Sequence, residues 1–406
     1  MSLLKFARKQ FPGLDQEMIF MDNAGGSQIA QASINAIVNF YQDCHVQLGA
    51  DYANSVTATE RVNAARNAIA QWLNAAHSDE VIVGASSTLL VRLLSLQLAK
   101  TWQAGDEVII TNVDHEANRS CWLDLAQQGI VIKVWQVNPQ SHELELSALK
   151  ALITNKTRLL CCTHVSNIYG SINPIQQWAE IMHQQDAAIC VDGVAYAPHR
   201  MLDVQKWDVD YYFFSSYKTF GPHQAVLYGK QSQLKKLPGI NHHFIDKTTA
   251  KFEPGNVNYE LICGIHGAIN YLQSLGRFLA VECDGQDLRA AMTDAFQAIA
   301  NHEENLLKPL MCFLKNHPNI TVIGEDHADQ DLRVATVSFV HDRIDSRRLV
   351  KAIDKHKIGI RYGDFYAVAL IDALGLRTQH GVVRVSLAHY NTPEEVSQLI
   401  ELLKQL

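Results

Sequence analysis

Between about residue 80 and residue 230, the chain alternates short, unbroken apolar segments with longer segments whose apolar residues recur at helical spacing. An unbroken apolar segment of this length is typical of a strand buried on both faces of a sheet. The pattern predicts strands at 81–83, 106–111, 130–137, 157–165, 189–193, 211–214 and 225–229. Strands that alternate with helices form an α/β fold, so we expect a mostly parallel sheet covered by helices on both faces.

The segments on either side of this region have a different pattern. Before it, we predict helices at 30–43 and 59–75, with a polar loop at 51–57 between them. After about residue 260, long helical segments alternate with short apolar strands. We predict helices at 261–272 and 286–315, and strands at 320–323, 334–340, 358–362 and 382–387.

These changes of pattern predict two domains. The larger covers residues 17–260, and a smaller α+β domain covers residues 261–406. Residues 1–16 are basic and carry scattered apolar positions, so they form either a transit peptide or a short helix. The segment lacks the serine richness of transit peptides. We therefore predict a short helix packed against the smaller domain.

Composition excludes several classes of protein. The chain is 47% hydrophobic and 19% charged, as in ordinary globular proteins, and its net charge of −7 provides no basic footprint for nucleic acid. No apolar segment approaches the roughly 20 residues that a membrane span needs. The eight cysteines lie mostly in apolar segments and form no CxxC pair. We expect a cytoplasmic protein with reduced thiols and no metal site.

Two strand ends carry the residues of a candidate active site. The apolar segment 211–214 turns polar, reaches Lys218, and is ended by Gly221 and Pro222, while the earlier segment 189–193 reaches Asp192. A lysine at the end of a buried strand is desolvated, which lowers its pKa and makes the amine a nucleophile. Pyridoxal phosphate needs such a lysine for its Schiff base and a carboxylate that keeps its pyridine nitrogen protonated. A lone lysine is more often an ordinary surface residue, and a lone Asp192 is equally compatible with a helix N-cap or a turn residue. The two together, in this order, favour the cofactor.

A third strand end resembles an anion site. The strand at 81–83 runs into glycine and hydroxyl residues and then into a helix at 89–98. Free backbone N–H groups and the helix dipole favour a phosphate there. Ser86 and Ser87 are also good helix caps, which need no ligand.

Several ordered motifs extend over most of the chain, and together they resemble one family. They are Asp22-Asn23-Ala24, Thr163 to Asn167, Val191-Asp192-Gly193, Ser215 to Pro222, Arg384 to Leu387, and Tyr390-Asn391-Thr392. The chain is similar to the fold-type I, class V aminotransferases that depend on pyridoxal phosphate, especially the cysteine desulfurase and selenocysteine lyase group. The resemblance implies this cofactor, a homodimer with shared active sites, and a small amino-acid substrate.

The resemblance also implies roles for individual residues. Ala85 and Ser86 contact the cofactor's phosphate, and His115 stacks on the pyridine ring and relays protons. Asn167 contacts the ring hydroxyl and the substrate carboxylate, and Arg384 binds that carboxylate through its forked guanidinium. The remaining cofactor contacts are Ser215, Tyr217 and, across the dimer, Asn256. Without the resemblance, His115 is compatible with a structural histidine, Asn167 with a turn asparagine and Arg384 with a salt-bridge arginine.

The chain departs from the family pattern at three positions. The persulfide cysteine of desulfurases corresponds here to Tyr366, whose phenol is a poor sulfur nucleophile. The histidine expected before the lysine is Tyr217, and the glutamine expected after the aspartate is Ala195. Tyr366 acts as a catalytic acid or base, or it fills the vacated space. Tyr217 retains a donor for the phosphate, whereas Ala195 removes a donor to the ring oxygen.

These observations predict an enzyme that depends on pyridoxal phosphate but does not use persulfide chemistry. Our first hypothesis is a C–S or C–Se lyase for a small amino acid, in which Lys218 is the general base at Cα. The alternative is a class V aminotransferase, which would use the same residues. A third hypothesis, from another class, is a non-catalytic homologue that binds the cofactor.

Overall fold

The computed structural model describes residues 3–246, 249–280 and 287–406. In chain order, the strands are β1 (Ile19–Phe20), β2 (Val81–Gly84), β3 (Glu107–Thr111), β4 (Val131–Trp135), β5 (Thr157–Thr163), β6 (Ala188–Asp192), β7 (Tyr211–Ser215), β8 (Ala225–Gly229), β9 (Ile320–Ile323), β10 (Thr336–His341), β11 (Ile358–Gly359), β12 (Arg361–Gly363) and β13 (Val382–Ser386).

The helices are α1 (Leu3–Arg8), α2 (Gln31–Asp43), α3 (Ala53–Leu73), α4 (Ser87–Ala99), α5 (Ser120–Leu123), α6 (Leu146–Leu152), α7 (Ile175–His183), α8 (Gln231–Leu234), α9 (Tyr259–Leu279), α10 (Leu288–Asn316), α11 (Ser346–Asp354), α12 (Val368–Ala373) and α13 (Pro393–Leu403).

Seven strands form the central sheet, in the order β2-β8-β7-β6-β5-β3-β4. β8 is antiparallel to both of its neighbours, and the other adjacent pairs are parallel. Side chains alternate between the two faces along each strand. In β7, Tyr212 and Phe214 enter one hydrophobic core, and Tyr211 and Phe213 enter the core on the opposite face. The predicted α/β fold with a mostly parallel sheet is confirmed.

A second sheet of four antiparallel strands, in the order β12-β13-β10-β9, lies in the C-terminal part of the chain. Its apolar residues form a core with α10, α11 and α13. The long helix α9 crosses residue 260, where we predicted the domain boundary, and packs against α2, α3 and α10. The division into two domains therefore stays a prediction.

Helix α1 joins the two ends of the described chain. The Arg8 guanidinium donates to the Tyr390 carbonyl at 2.9 Å and pairs with Glu395 at 2.8 Å. Phe6 stacks on Phe278 of α9, with ring centroids 4.5 Å apart. These contacts tie the N-terminal helix to residues of the predicted smaller domain.

The prediction of a polar loop at 51–57 is wrong, because α3 already begins at Ala53. The polar side chains in its first two turns bond to the preceding loop. Ser55 Oγ donates to the Gln47 carbonyl at 2.7 Å and accepts from the Ala50 N–H at 2.9 Å, while Thr59 Oγ1 accepts from the Gly49 N–H at 3.1 Å. These polar residues hold the preceding loop against α3 and do not interrupt the helix.

Other predicted boundaries also shift. The strand predicted at 358–362 is divided, because β11 pairs with β1 in parallel while β12 pairs with β13 in the second sheet. The helix predicted from Gln286 begins at Leu288 in the structure, and Gln286 lies outside the described residues. Across the described ranges, every helix is too short or too polar to cross a membrane.

Candidate active site

Lys218 lies immediately beyond the carboxyl end of β7. The strand ends at Ser215, and a turn of 3-10 helix over Ser216–Lys218 carries the lysine away from the sheet. Its amine is mostly buried. Burial and the nearby Arg384 guanidinium lower the pKa of Lys218 to about 8, against the opposing effect of Asp192 and Asp22. A fraction of the amine is therefore uncharged near neutral pH, as a nucleophile or base requires.

Asp192 ends the neighbouring strand β6 and is 5% exposed. Its Oδ1 accepts a hydrogen bond from the Val194 N–H at 2.9 Å. Burial raises the pKa of Asp192 to about 6, while that hydrogen bond and the charge of Lys218 act in the opposite direction. The structure thus brings Asp192 and Lys218 together at one edge of the parallel sheet, where sites of α/β proteins form.

His115 precedes a short 3-10 turn after β3 and lies close to Lys218. We name Asp192, Lys218 and His115 the Lys218 cluster. Its Nδ1 accepts from the Ala117 N–H at 3.0 Å, so a neutral ring carries its proton on Nε2. Burial, together with the charges of Lys218 and Arg384, lowers the pKa of His115 to about 4. The ring is uncharged at neutral pH, which suits a flat aromatic contact.

The fully buried carboxyl of Asp114 supports this segment and was not among the predicted site residues. It accepts hydrogen bonds from Thr111 and, at 2.8 Å, from the Asn118 amide. Burial raises the pKa of Asp114 to about 7. In the sequence, Asp114 is indicated by its position directly before His115 and after a buried strand.

The predicted phosphate loop leads into α4. Ser86 is the helix cap, because its Oγ accepts from the Leu89 N–H at 3.2 Å, and Ala85 directly precedes it. Ser87 Oγ is 2.8 Å from Ser215 Oγ, which links the start of α4 to the end of β7. The helix N-terminus therefore lies beside the strand that carries Lys218.

Arg384, on β13, lies within reach of this cluster and is 2% exposed. Its guanidinium donates to Asp22 Oδ1 at 2.8 Å and to the Asn167 carbonyl at 3.3 Å. The Phe365 ring covers one face of the guanidinium, with its centroid 3.8 Å from Cζ. Sequence reasoning did not identify Asp22 or Phe365 as partners of this arginine.

Asn167 holds the loop that contains Tyr366. Its Nδ2 donates to the Phe365 carbonyl at 2.9 Å, and the Glu116 N–H donates to the Tyr366 carbonyl at 2.7 Å. Phe365 and Tyr366 both have positive φ, at 52° and 60°, which is strained for residues with a side chain. Tyr366 is 66% exposed, and its ring centroid is 5.3 Å from that of His115.

Two further predicted cofactor residues have contacts outside this cluster. The half-buried Tyr217 stacks on His223, with centroids 4.6 Å apart, and its ring lies 5.9 Å from the amine of Lys218. Asn256 is exposed, and its amide donates to Gln47 Oε1 at 3.2 Å. The contacts described for Asn256 include no member of the Lys218 cluster, so its role across a dimer stays a prediction.

The cluster suits pyridoxal phosphate. It supplies an amine of lowered pKa, a buried carboxyl, a flat neutral histidine and the anion-favouring end of α4. Within the described residues, the buried atoms Asn167 Oδ1 and Arg384 Nε have no hydrogen-bond partner. Buried polar atoms are rarely left unpaired, so both are available to a ligand.

Comparison with known proteins agrees with this chemistry. The profile of the aminotransferase class-V family matches residues 19–399. The chain is 39% identical to the aminotransferase-like protein FGM3 of Gibberella zeae, over 98% of this chain and 97% of that protein. It is 33% identical to the cysteine desulfurase-like protein ustD of Aspergillus flavus, over 96% of this chain and 87% of that protein.

Its fold is similar to that of the cysteine desulfurase CsdA of Escherichia coli, with a TM-score of 0.84, 24% identity and coverage of 100% of this chain and 98% of that one. The fold is that of the fold-type I enzymes that use pyridoxal phosphate. The chain belongs to the aminotransferase class-V family, and the predicted dependence of this family on pyridoxal phosphate is confirmed.

Proposed function

We propose that this protein is a lyase that depends on pyridoxal phosphate and cleaves a C–S or C–Se bond at Cβ of a small amino acid, without a persulfide cysteine. The observation that carries the proposal is the loop at Tyr366. Tyr366 lies beside His115, and the preceding Phe365 covers Arg384, in the loop where the resemblance to desulfurases leads us to expect a thiol.

The described cysteines give no substitute for that thiol. Seven are free, and Cys312 on α10 is the one that is exposed. Cys161, Cys162 and Cys190 lie in the strands of the central sheet, and burial raises their pKa well above the ordinary value. A thiol that stays protonated is a poor nucleophile. Elimination of a good leaving group from Cβ needs no protein thiol.

Each residue of the cluster then has a task. Asp192 would hold the cofactor's pyridine nitrogen, and the start of α4 with Ser86 and Ser215 would hold its phosphate. The bound cofactor supplies an electron sink for a carbanion at Cα. Lys218 accepts the Cα proton through its amine, which is uncharged in part near neutral pH. Arg384 orients the substrate through its α-carboxylate.

A homodimer and a cytoplasmic location are part of this proposal. Support for the dimer is the resemblance of the loop around Asn256 to the family's loop across the dimer, together with the exposed position of the Asn256 side chain, which bonds Gln47. Support for a reducing compartment is that all seven described cysteines are free thiols.

The test is the visible spectrum of the purified protein, followed by a panel of amino acids. We expect an absorption band of bound pyridoxal phosphate that is lost in Lys218→Ala and kept in Lys230→Ala, whose lysine pairs with Asp208 on the surface. Cysteine or selenocysteine should yield a ketoacid and ammonia together with sulfide or selenide.

Other outcomes decide against the proposal. Conversion of the cofactor to its amine form, reversed by a ketoacid, would mean an aminotransferase. A band without turnover of any amino acid would mean a non-catalytic binding protein, and this interpretation would gain support if Lys218→Ala kept its cellular role.

A further inference from the structure

Two arginines of the site share a single carboxylate. Arg361 and Arg384 are cross-strand partners on β12 and β13. Asp22 bonds Arg384 at 2.8 Å through Oδ1, and its Oδ2 is 3.8 Å from Arg361. The Phe365 ring lies over both guanidiniums, 3.8 Å from Cζ of Arg384 and 5.9 Å from Cζ of Arg361. We name Asp22, Arg361, Arg384 and Phe365 the arginine–acid cluster.

The backbone fixes Asp22 in this position. Asp22 forms a parallel bridge with Ser386 on β13, and the Ser386 N–H donates to the Met21 carbonyl at 2.7 Å. The next residue, Asn23, is buried and donates its amide to the Ser386 carbonyl at 2.9 Å. A Cβ at Gly25 would lie 2.9 Å from Asp22 Oδ2, so glycine leaves the carboxylate its space. Asp22 is held beside the arginines by several independent contacts.

Within the described ranges, the surroundings leave one nitrogen of the buried Arg384 side chain without a partner. One terminal nitrogen bonds Asp22, the other bonds the Asn167 carbonyl, and the Phe365 ring covers one face. Nε has no partner in the described parts of the chain. The cluster carries two positive charges and one negative charge, so a single substrate carboxylate makes it neutral. Asp364, in the adjoining loop, already accepts from the Tyr366 N–H.

We infer that Asp22 limits the substrate to one carboxylate. It neutralises one of the two arginines, so the site binds a single carboxylate and disfavours a second. A second carboxylate would enter a partly buried site beside the charge of Asp22, with both arginines already paired with Asp22 and the first carboxylate. The substrate class is thus an amino acid with an uncharged side chain. This inference rests on the proposed function, because that function places the amino-acid carboxylate on Arg384.

The test compares the binding of two small probes, succinate and its monomethyl ester, which are matched in size but differ by one negative charge. Calorimetric titration gives both dissociation constants, for the protein purified with its cofactor and for the cofactor-free protein. We expect the wild type to bind the monoester more tightly. In Asp22→Asn, the ratio of affinities should shift toward succinate by about tenfold, because one negative charge has left the cluster.

Two further variants make the result specific. Asp372→Asn removes a carboxylate that pairs with Arg377 on the surface, and the ratio should stay at the wild-type value. Arg361→Gln removes one cation and should shift the ratio further toward the monoester, and it serves as the test if Asp22→Asn does not fold.

A wild-type preference for succinate, or an unchanged ratio in Asp22→Asn, would overturn the inference. Equal weakening of both probes in that variant would overturn it too, since it would show that Asp22 only positions Arg384. If the protein does not bind pyridoxal phosphate, the proposed function fails, while the titration of the cofactor-free protein still decides this inference.

Discussion

Asp192 and Lys218 lie at the ends of adjacent parallel strands and interact through their charges in a buried site. Asp192 pairs in register with Phe213 of β7, and Lys218 follows on the turn after that strand. Lys218 counteracts the rise in the pKa of Asp192, and Asp192 counteracts the fall in the pKa of Lys218. Each residue therefore favours the charged form of the other, against the larger effect of burial.

Asp192→Asn should bind pyridoxal phosphate more weakly and lower kcat for the amino-acid reaction by at least about 100-fold, because the amide cannot keep the pyridine nitrogen protonated. Titration of the visible band gives the cofactor's affinity, and steady-state kinetics give kcat. Asp208→Asn is the matched control, since that carboxylate is exposed and pairs with Lys230. Wild-type kcat in Asp192→Asn would contradict the assignment.

The sequence was sufficient to predict the central sheet, because its strands are unbroken apolar segments. Ala225–Gly229 matches the prediction, and most of the other strands lie within two residues of it. The strand-end positions of Asp192 and Lys218 followed from the same pattern, since the carboxyl ends of parallel strands meet at one edge of a sheet.

The partners of Arg384 could not be predicted in this way. Asp22 is separated from it by 362 residues, and their contact depends on the bridge between the N-terminal segment and β13. The conformation of the loop at Phe365 and Tyr366 could not be predicted from the pattern either. Its positive φ angles occur at aromatic residues, where local preference favours other conformations, and contacts from Asn167 and Glu116 hold it.

Tyr366→Phe should lower kcat at least about tenfold with little change in KM, because it removes the phenol beside His115 but keeps the ring in the loop. Tyr52→Phe is a suitable control, since Tyr52 is also exposed and precedes α3. Unchanged kcat in Tyr366→Phe would mean that the ring only occupies space. Circular dichroism should show the same fold for both variants.

Glu303 on α10 should contribute strongly to stability. It is 1% exposed and pairs with His199 at 2.8 Å and with Arg200 at 3.2 Å. Glu303→Ala removes the carboxylate that pairs with the buried His199 and the part-buried Arg200, so we expect the free energy of unfolding to fall by about 3 kcal/mol.

Urea unfolding monitored by fluorescence measures this change, and Glu401→Ala, whose carboxylate is exposed and pairs with Lys404, should change it little. Because the pair joins residues on opposite sides of the predicted domain boundary, both parts should lose stability together. A loss below about 0.5 kcal/mol would show that the buried pair is not a strong contact.

The pH dependence of cofactor incorporation follows from the pKa of Lys218. The amine reacts when uncharged, so the rate at which cofactor-free protein gains the visible band should rise with pH and level off above about 8. Below that value, the rate should fall about tenfold per pH unit, because each unit lowers the uncharged fraction tenfold.

Arg384→Gln gives the sign of the electrostatic effect. The Arg384 guanidinium lowers the pKa of Lys218, so its removal should raise that pKa and move the midpoint of the pH profile to higher pH. Asp192→Asn should move it to lower pH, because Asp192 raises the same pKa. Stopped-flow absorbance across pH 6 to 10 gives the three midpoints. A midpoint near 10.5 in the wild type, or shifts in the same direction in both variants, would show that these charges do not control the lysine.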